Sequence, residues 1–231
     1  MCRAEAVLGF FVRAPRPGSV KTRLGLPEAE AAVLYRAFVQ DMAGRLLGLE
    51  GVRLVAAVTP PGALAEVRAL LPARFELAAQ AEGSLGRRMA AFCEWALGRG
   101  AAGVAIVGSD LPTLPLAYIE RGLAALVEHP VVLGPATDGG YYFIGLGEPR
   151  AGLFEGIAWG TNRVLTQTLE RAPEGTLLLP PWHDIDTPAD LECLAAELAA
   201  LPEPVRPPRT LRCLRGLGLL PLQPAKARGK A

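Results

Sequence analysis

The sequence predicts an α/β protein, a three-layer α/β/α sandwich built on a mostly parallel mixed sheet. Apolar runs of strand length alternate with stretches of helical periodicity from the first residues onward. The run 104–107 (VAIV) is apolar at every position, the signature of a strand buried on both faces rather than one. Two strand-like runs follow one another closely after residue 131, too closely for a crossover helix, so some antiparallel pairing is expected in the second half.

The elements follow in order. Residues 7–12 (VLGFFV) read as the first strand, and residues 13–25 as a loop. Residues 27–47 read as a helix, with Ala31, Leu34, Phe38, Met42 and Leu46 at helical spacing and Pro27 suited to its start. A second strand spans 52–58 and stops at Pro60-Pro61-Gly62; a short helix (63–71) and a brief strand (75–78) come next. The stretch 84–97 is helical, with Leu85, Met89, Phe92, Cys93 and Ala96 on one face. After the central strand come a helix (116–127), strands at 131–134 and 141–146, a helix (162–171), a strand (176–179) and a last helix (188–201). Residues 1–201 read as one domain, and 202–231 as a basic, Pro-rich tail that is either loosely ordered or wrapped on the body.

Bulk properties narrow the function. The chain has 231 residues, 51% of them hydrophobic, and a net charge of +1, which argues for a globular protein without a nucleic-acid partner. The balance is uneven. The tail holds seven Lys or Arg and one acid, a net of +6, while the rest holds 17 basic and 22 acidic residues, a net of −5. The four cysteines (Cys2, Cys93, Cys193, Cys213) are widely spaced and read as thiols of a reducing compartment. No apolar run approaches the ~20 residues that span a bilayer, and residues 7–12 are too short for a signal-peptide core. A cytoplasmic protein is expected. Its oligomeric state is not legible.

Three stretches carry chemistry. The first is the loop after the first strand, where Arg13, Arg16, Lys21 and Arg23 gather with Gly18 and Thr22. Backbone N–H groups and guanidinium forks there suit phosphate. It is not a Walker A loop, since Val20 stands where glycine is required before Lys21-Thr22, and no GxGxxG follows the strand. The second is Asp110, a carboxylate at the carboxyl end of the central strand, where open α/β sheets bind ligands. Alone it reads equally as a turn or cap residue. The third is the segment 182–191 (WHDIDTPADL). Thr187, Pro188 and Asp190 there account for a capped helix start, but the cap needs neither Asp184 nor Asp186. Asp186 is the expected partner of Asp110 around Mg²⁺ or Mn²⁺, hard cations that take one or two carboxylates plus substrate phosphates. His183 reads as a surface or packing residue.

Substrate contacts are expected from Asp138, Gly139 and Gly140, where glycines let a ligand approach the backbone and Asp138 accepts a hydroxyl. The same Asp-Gly-Gly reads as a tight turn between strands. Trp159 and Thr161 are candidate walls of that pocket, and Thr161 serves equally as a helix N-cap.

The motifs RAPRPGSVKTRL, VGSDLPTL, LGPATDGGYYFIGL, FEGIAWGT and DIDTPADL, in that order, resemble the bacterial rSAM/selenodomain-associated transferase 1 family, a glycosyltransferase-A-like domain. The resemblance covers about residues 5–200. It implies the fold of nucleotide-diphospho-sugar transferases, similar to nucleotidyltransferases that make activated sugars. It also implies that Lys21 and Arg23 contact phosphates and that Asp110, with Asp186, binds a divalent metal. Two positions depart from the wider pattern. Asp110 is followed by Leu-Pro instead of completing an Asp-x-Asp motif, and the first loop lacks a Gly-rich run. The expectation is a metal-dependent enzyme acting on a nucleotide sugar and a small-molecule acceptor, with Lys21, Asp110 and Asp138 as catalytic residues. Nucleotidyl transfer with release of pyrophosphate is the alternative reaction. A non-catalytic nucleotide-binding protein is the alternative of another class.

Overall fold

The computed structural model describes residues 5–220. Cys2 and the end of the basic tail lie outside them. Seven strands form one mixed sheet: β1 (Ala6–Arg13), β2 (Val52–Thr59), β3 (Glu76–Ala79), β4 (Val104–Val107), β5 (Val131–Pro135), β6 (Tyr141–Leu146) and β7 (Leu177–Leu178). Seven α-helices accompany them: α1 (Glu28–Leu46), α2 (Leu64–Arg68), α3 (Leu85–Leu97), α4 (Leu116–Ala125), α5 (Val164–Leu169), α6 (Pro188–Ala200) and α7 (Pro208–Gly216).

The strand order is β3-β2-β1-β4-β6-β5-β7. Only β6 runs against its neighbours, pairing antiparallel with β4 and β5, while the other pairings are parallel. The close succession of β5 and β6 explains this, because a five-residue turn can join only antiparallel strands.

Alternating side chains divide the core between the two faces of the sheet. Leu8, Phe10 and Val12 of β1 pack on one face with Leu34, Phe38 and Met42 of α1, Ile119 of α4 and Leu194 of α6. Val7 of β1, with Val104 and Ile106 of β4, packs on the other with Met89, Phe92 and Cys93 of α3 and with Leu153 and Phe154. Helices on both faces make the three layers. Leu85, expected on the buried face of α3, is instead 45% exposed.

After α6 the described residues continue to 220. A turn of 3₁₀ helix (Glu203–Val205) leads into α7, which the density of prolines had concealed in the sequence. Asp41 of α1 accepts the backbone N–H of Thr210 at 2.7 Å and that of Arg209 at 3.2 Å. A buried carboxylate thus satisfies donors that the first turn of α7 leaves free. Thr210 and Leu214 are buried against the body. No helix among the described residues is long and apolar enough to cross a membrane.

The topology places the site. From β1 the chain runs outward through β2 and β3, then returns to place β4 on the other side of β1. The order reverses between β1 and β4, and the crevice outside their carboxyl ends is where such sheets hold ligands.

Candidate active site

Three loops converge on that crevice. The loop after β1 is anchored by buried Ala14, Val20 and Leu24, which hold the intervening polar residues at the surface. Gly18 adopts φ +72°, and a Cβ there would lie 3.0 Å from the carboxylate of Glu28. Its backbone sets the path of the loop, and it is not among the residues that line the two cavities described below. Lys21 adopts φ +50°. A side chain in the left-handed region is strained, and such strain is found where the surroundings over-determine a conformation.

The surroundings here are carboxylates. Lys21 Nζ donates to Asp110 Oδ2 at 2.8 Å and to Asp186 Oδ1 at 2.7 Å, and its side chain is 4% exposed. Burial alone would push the Lys21 ammonium down, but the charges and hydrogen bonds of Asp110 and Asp186 outweigh it and hold the group protonated well above its ordinary range. Arg23 Nη2 donates to Asp186 Oδ2 at 2.7 Å from the solvent side. Burial opposes ionisation of Asp186, yet Lys21 and Arg23 together keep it below the usual carboxylate range.

Asp110 stands just beyond β4, and its carbonyl accepts the N–H of Ile185 at 3.2 Å. Next to it, the hydroxyls of Ser109 and Tyr35 lie 2.7 Å apart, and Tyr35 also accepts the backbone N–H of Arg13 at 3.2 Å. The loops after β1 and β4 are thereby tied through α1. Asp110 caps no helix: α4 begins at Leu116 behind Pro115.

The third loop is extended, so side chains alternate. Ile185 is fully buried, which turns Asp184 and Asp186 together to the opposite side, toward Asp110. One carboxylate oxygen from each of Asp110, Asp184 and Asp186 can be chosen so that all lie within 4.8 Å of one another. Asp184 joins the expected metal pair of Asp110 and Asp186, and the Asp-Ile-Asp alternation carries the signal for it. It has no hydrogen-bonded side-chain or cationic partner, and burial followed by the charges of Asp110, Asp186 and Asp138 pushes its carboxyl up to about 7. Beyond it the capping box is complete: Asp190 accepts the N–H of Thr187 at 2.7 Å, and Thr187 accepts that of Asp190. His183 stacks on Trp182 at 5.3 Å, beside Glu197, as a packing residue.

Two cavities meet at this cluster. The smaller, about 400 Å³, is lined by Arg13, Ser19, Lys21, Thr22, Arg23 and Tyr35. The larger, about 650 Å³, is lined by Asp138, Gly140, Tyr141, Trp159, Thr161 and Asp184, among others. Asp110, Asp186 and Arg23 belong to both. Leu85 also lines the larger cavity, which accounts for its exposure.

The loop between β5 and β6 forms the rim of the larger cavity. Asp138 Oδ1 accepts the N–H of Gly140 at 2.8 Å, holding a tight turn. Gly139 adopts φ +89°, and a Cβ there would lie 2.2 Å from the carbonyl oxygen of Asn162. Its close approach is to protein backbone, not to the cavity, so it is a packing glycine. Thr161 donates to the carbonyl of Ala158 at 2.8 Å and accepts the N–H of Arg163, so the helix expected from residue 162 begins only at Val164. Thr137 and Asn162 are further walls that the sequence reading did not single out.

Three carboxylates with oxygens this close, one lacking a compensating partner, fit a hard divalent cation such as Mg²⁺ or Mn²⁺. Residues 42–161 match the family model described as an uncharacterized protein conserved in bacteria (DUF2064). The chain belongs to this family. It is 35% identical to a Desulfovibrio desulfuricans G20 protein whose crystal structure carries the provisional name nucleotide-diphospho-sugar transferase, with a TM-score of 0.86 over 94% of this chain and 96% of that one. Two more distant structures share the fold. A CMP:2-keto-3-deoxy-manno-octonic acid synthetase in complex with CTP has a TM-score of 0.55 at 14% identity, over 85% of this chain and 99% of that one. A Leptospira borgpetersenii cytidylyltransferase has a TM-score of 0.55 at 11% identity, over 98% and 100%. No curated protein matches the sequence. The DUF2064 chain thus has the nucleotide-diphospho-sugar transferase fold.

Proposed function

We propose that this DUF2064 protein is a metal-dependent glycosyltransferase that binds a nucleoside diphosphate sugar across the junction of the two cavities and releases the nucleoside diphosphate. The observation that carries the reading is the cluster itself, with cations from one cavity and carboxylates from the other meeting where Lys21 bridges Asp110 and Asp186.

Lys21 and Arg23 are the cations within reach of a diphosphate at the junction, while Arg13 and Thr22 line the smaller cavity beside them. Asp110, Asp184 and Asp186 would hold Mg²⁺ or Mn²⁺, whose chemistry there is to neutralise the negative charge that builds on a departing diphosphate. Asp138, fixed by its bond from Gly140, accepts a hydroxyl of the group seated in the larger cavity and orients it. Trp159 and Thr161 wall the same space.

Nucleotidyl transfer is the second reading, favoured by the cytidylyltransferases that share the fold. The same cations and carboxylates serve either reaction, and the products separate them. Incubation with nucleotide sugars and Mn²⁺, followed by chromatography, is expected to yield free nucleoside diphosphate. Pyrophosphate formed from a nucleoside triphosphate and a sugar phosphate would replace the first reading by the second.

A further inference from the structure

The larger cavity carries a charge pattern that narrows what it holds. Five aspartates line it (Asp110, Asp138, Asp184, Asp186 and Asp190), and Arg23 is the single cation among its described walls. These carboxylates are not equivalent. Asp110 and Asp186 are bridged by Lys21, and Asp190 is occupied by the backbone N–H groups of Asp186 and Thr187. Asp184 belongs with the metal-binding group. Asp138 is left. It accepts one backbone N–H, has no ion pair with a cation among the described residues, and stands exposed at the rim beside Thr137, Asn162 and Trp159, near enough to Asp184 for the two charges to interact. Arg23 does not pair with it: its Nη2 donates to Asp186 at the junction with the smaller cavity.

A carboxylate, an amide, hydroxyls and an indole face suit a ring that presents hydroxyls along its edge and C–H groups on its face. The same set offers no donor cluster for a second anion, and an anion seated beside Asp138, which is exposed at the cavity rim, would meet a like charge that solvent screens only in part. We infer that the ligand of the larger cavity is a sugar ring bearing no acidic group, with Asp138 as the residue that discriminates against carboxylate- or phosphate-substituted sugars. This rests on the transferase reading above and adds the substrate class to it.

The test uses the full chain with Mn²⁺ in isothermal titration. Nucleoside diphosphates alone are titrated first, to find the nucleotide that binds. Nucleotide sugars on that nucleotide then follow in matched pairs differing only at C6, hydroxymethyl against carboxylate (a glucoside against its glucuronide). The neutral member is expected to bind about tenfold more tightly than its acid partner. In Asp138→Asn that ratio should fall to about threefold or less, mainly through better binding of the acid, with the affinity for the diphosphate alone unchanged. Equal or tighter binding of the acid by the native chain, or an unchanged ratio in Asp138→Asn, overturns the inference while the transferase reading stands. Failure of every nucleotide to bind overturns both.

Discussion

Asp41 at the back of the sheet is buried and Asp184 at the front is half-buried, and their charges are met on opposite terms. Asp41 is 6% exposed and is met by two backbone N–H groups at the start of α7. Its charge is answered by the fold, and in answering it the fold pins the C-terminal segment to α1. Asp184 shares its surroundings with two further carboxylates, and Lys21 and Arg23 are directed to Asp110 and Asp186 instead. Buried charge that the fold compensates is architecture; a half-buried carboxylate left without a partner in a cavity points to a ligand.

The strongest way to break this contrast is to remove the cation that holds the front together. Lys21→Met leaves Asp110 and Asp186 facing each other, and in metal-free buffer it should cost about 3 kcal/mol of stability, reduced by the partial exposure of both carboxylates. Added Mn²⁺ should recover part of that loss in thermal denaturation. If Lys21→Met melts with the native chain, the ammonium is not what balances the cluster.

At the back, Asp41→Ala strands the N–H groups of Arg209 and Thr210 and should cost about 2 kcal/mol, or roughly 4–8 °C in melting temperature. Nucleotide binding at the front should not change. A matching loss of nucleotide affinity would show that α7 and the site are one functional unit.

Asp184→Asn should work in the other direction. The carboxyl is raised from 3.8 to about 7, so the folded chain takes up a proton between those values that the unfolded chain does not. The stability this provides is complete below pH 4 and is lost as pH rises through 7. The asparagine variant escapes that loss, so it should be more stable than the native chain by about 1–2 kcal/mol at pH 8, after discounting for solvent, and no more stable at pH 4. Denaturant melts at the two pH values check this. A gain independent of pH would place its cause elsewhere.

Much of this was legible in the sequence. The central strand, the long first helix with Leu34, Phe38 and Met42 inward, the β5–β6 reversal and the capped start of α6 are local patterns, and each lies where its residues predict. The pairing of Lys21 with Asp110 and Asp186, across 89 and 165 residues, followed only as a convergence of loops on one end of the sheet. What escaped depends on long-range contact. Gly139 reads the same whether a ligand or the backbone of Asn162 approaches it. α7 is too short and proline-flanked to announce itself without the carboxylate of Asp41. Asp184 could have been found, since alternation about a buried isoleucine puts both of its neighbours on one face.

Asp110, Asp184 and Asp186 are proposed to form one cation site on which a nucleoside diphosphate docks. Titration calorimetry of a nucleoside diphosphate, with and without Mn²⁺, into the native chain and Asp110→Asn tests it most directly. Binding is expected to require the metal and to weaken about 100-fold in the variant. Metal-independent binding of equal strength in both chains would contradict it.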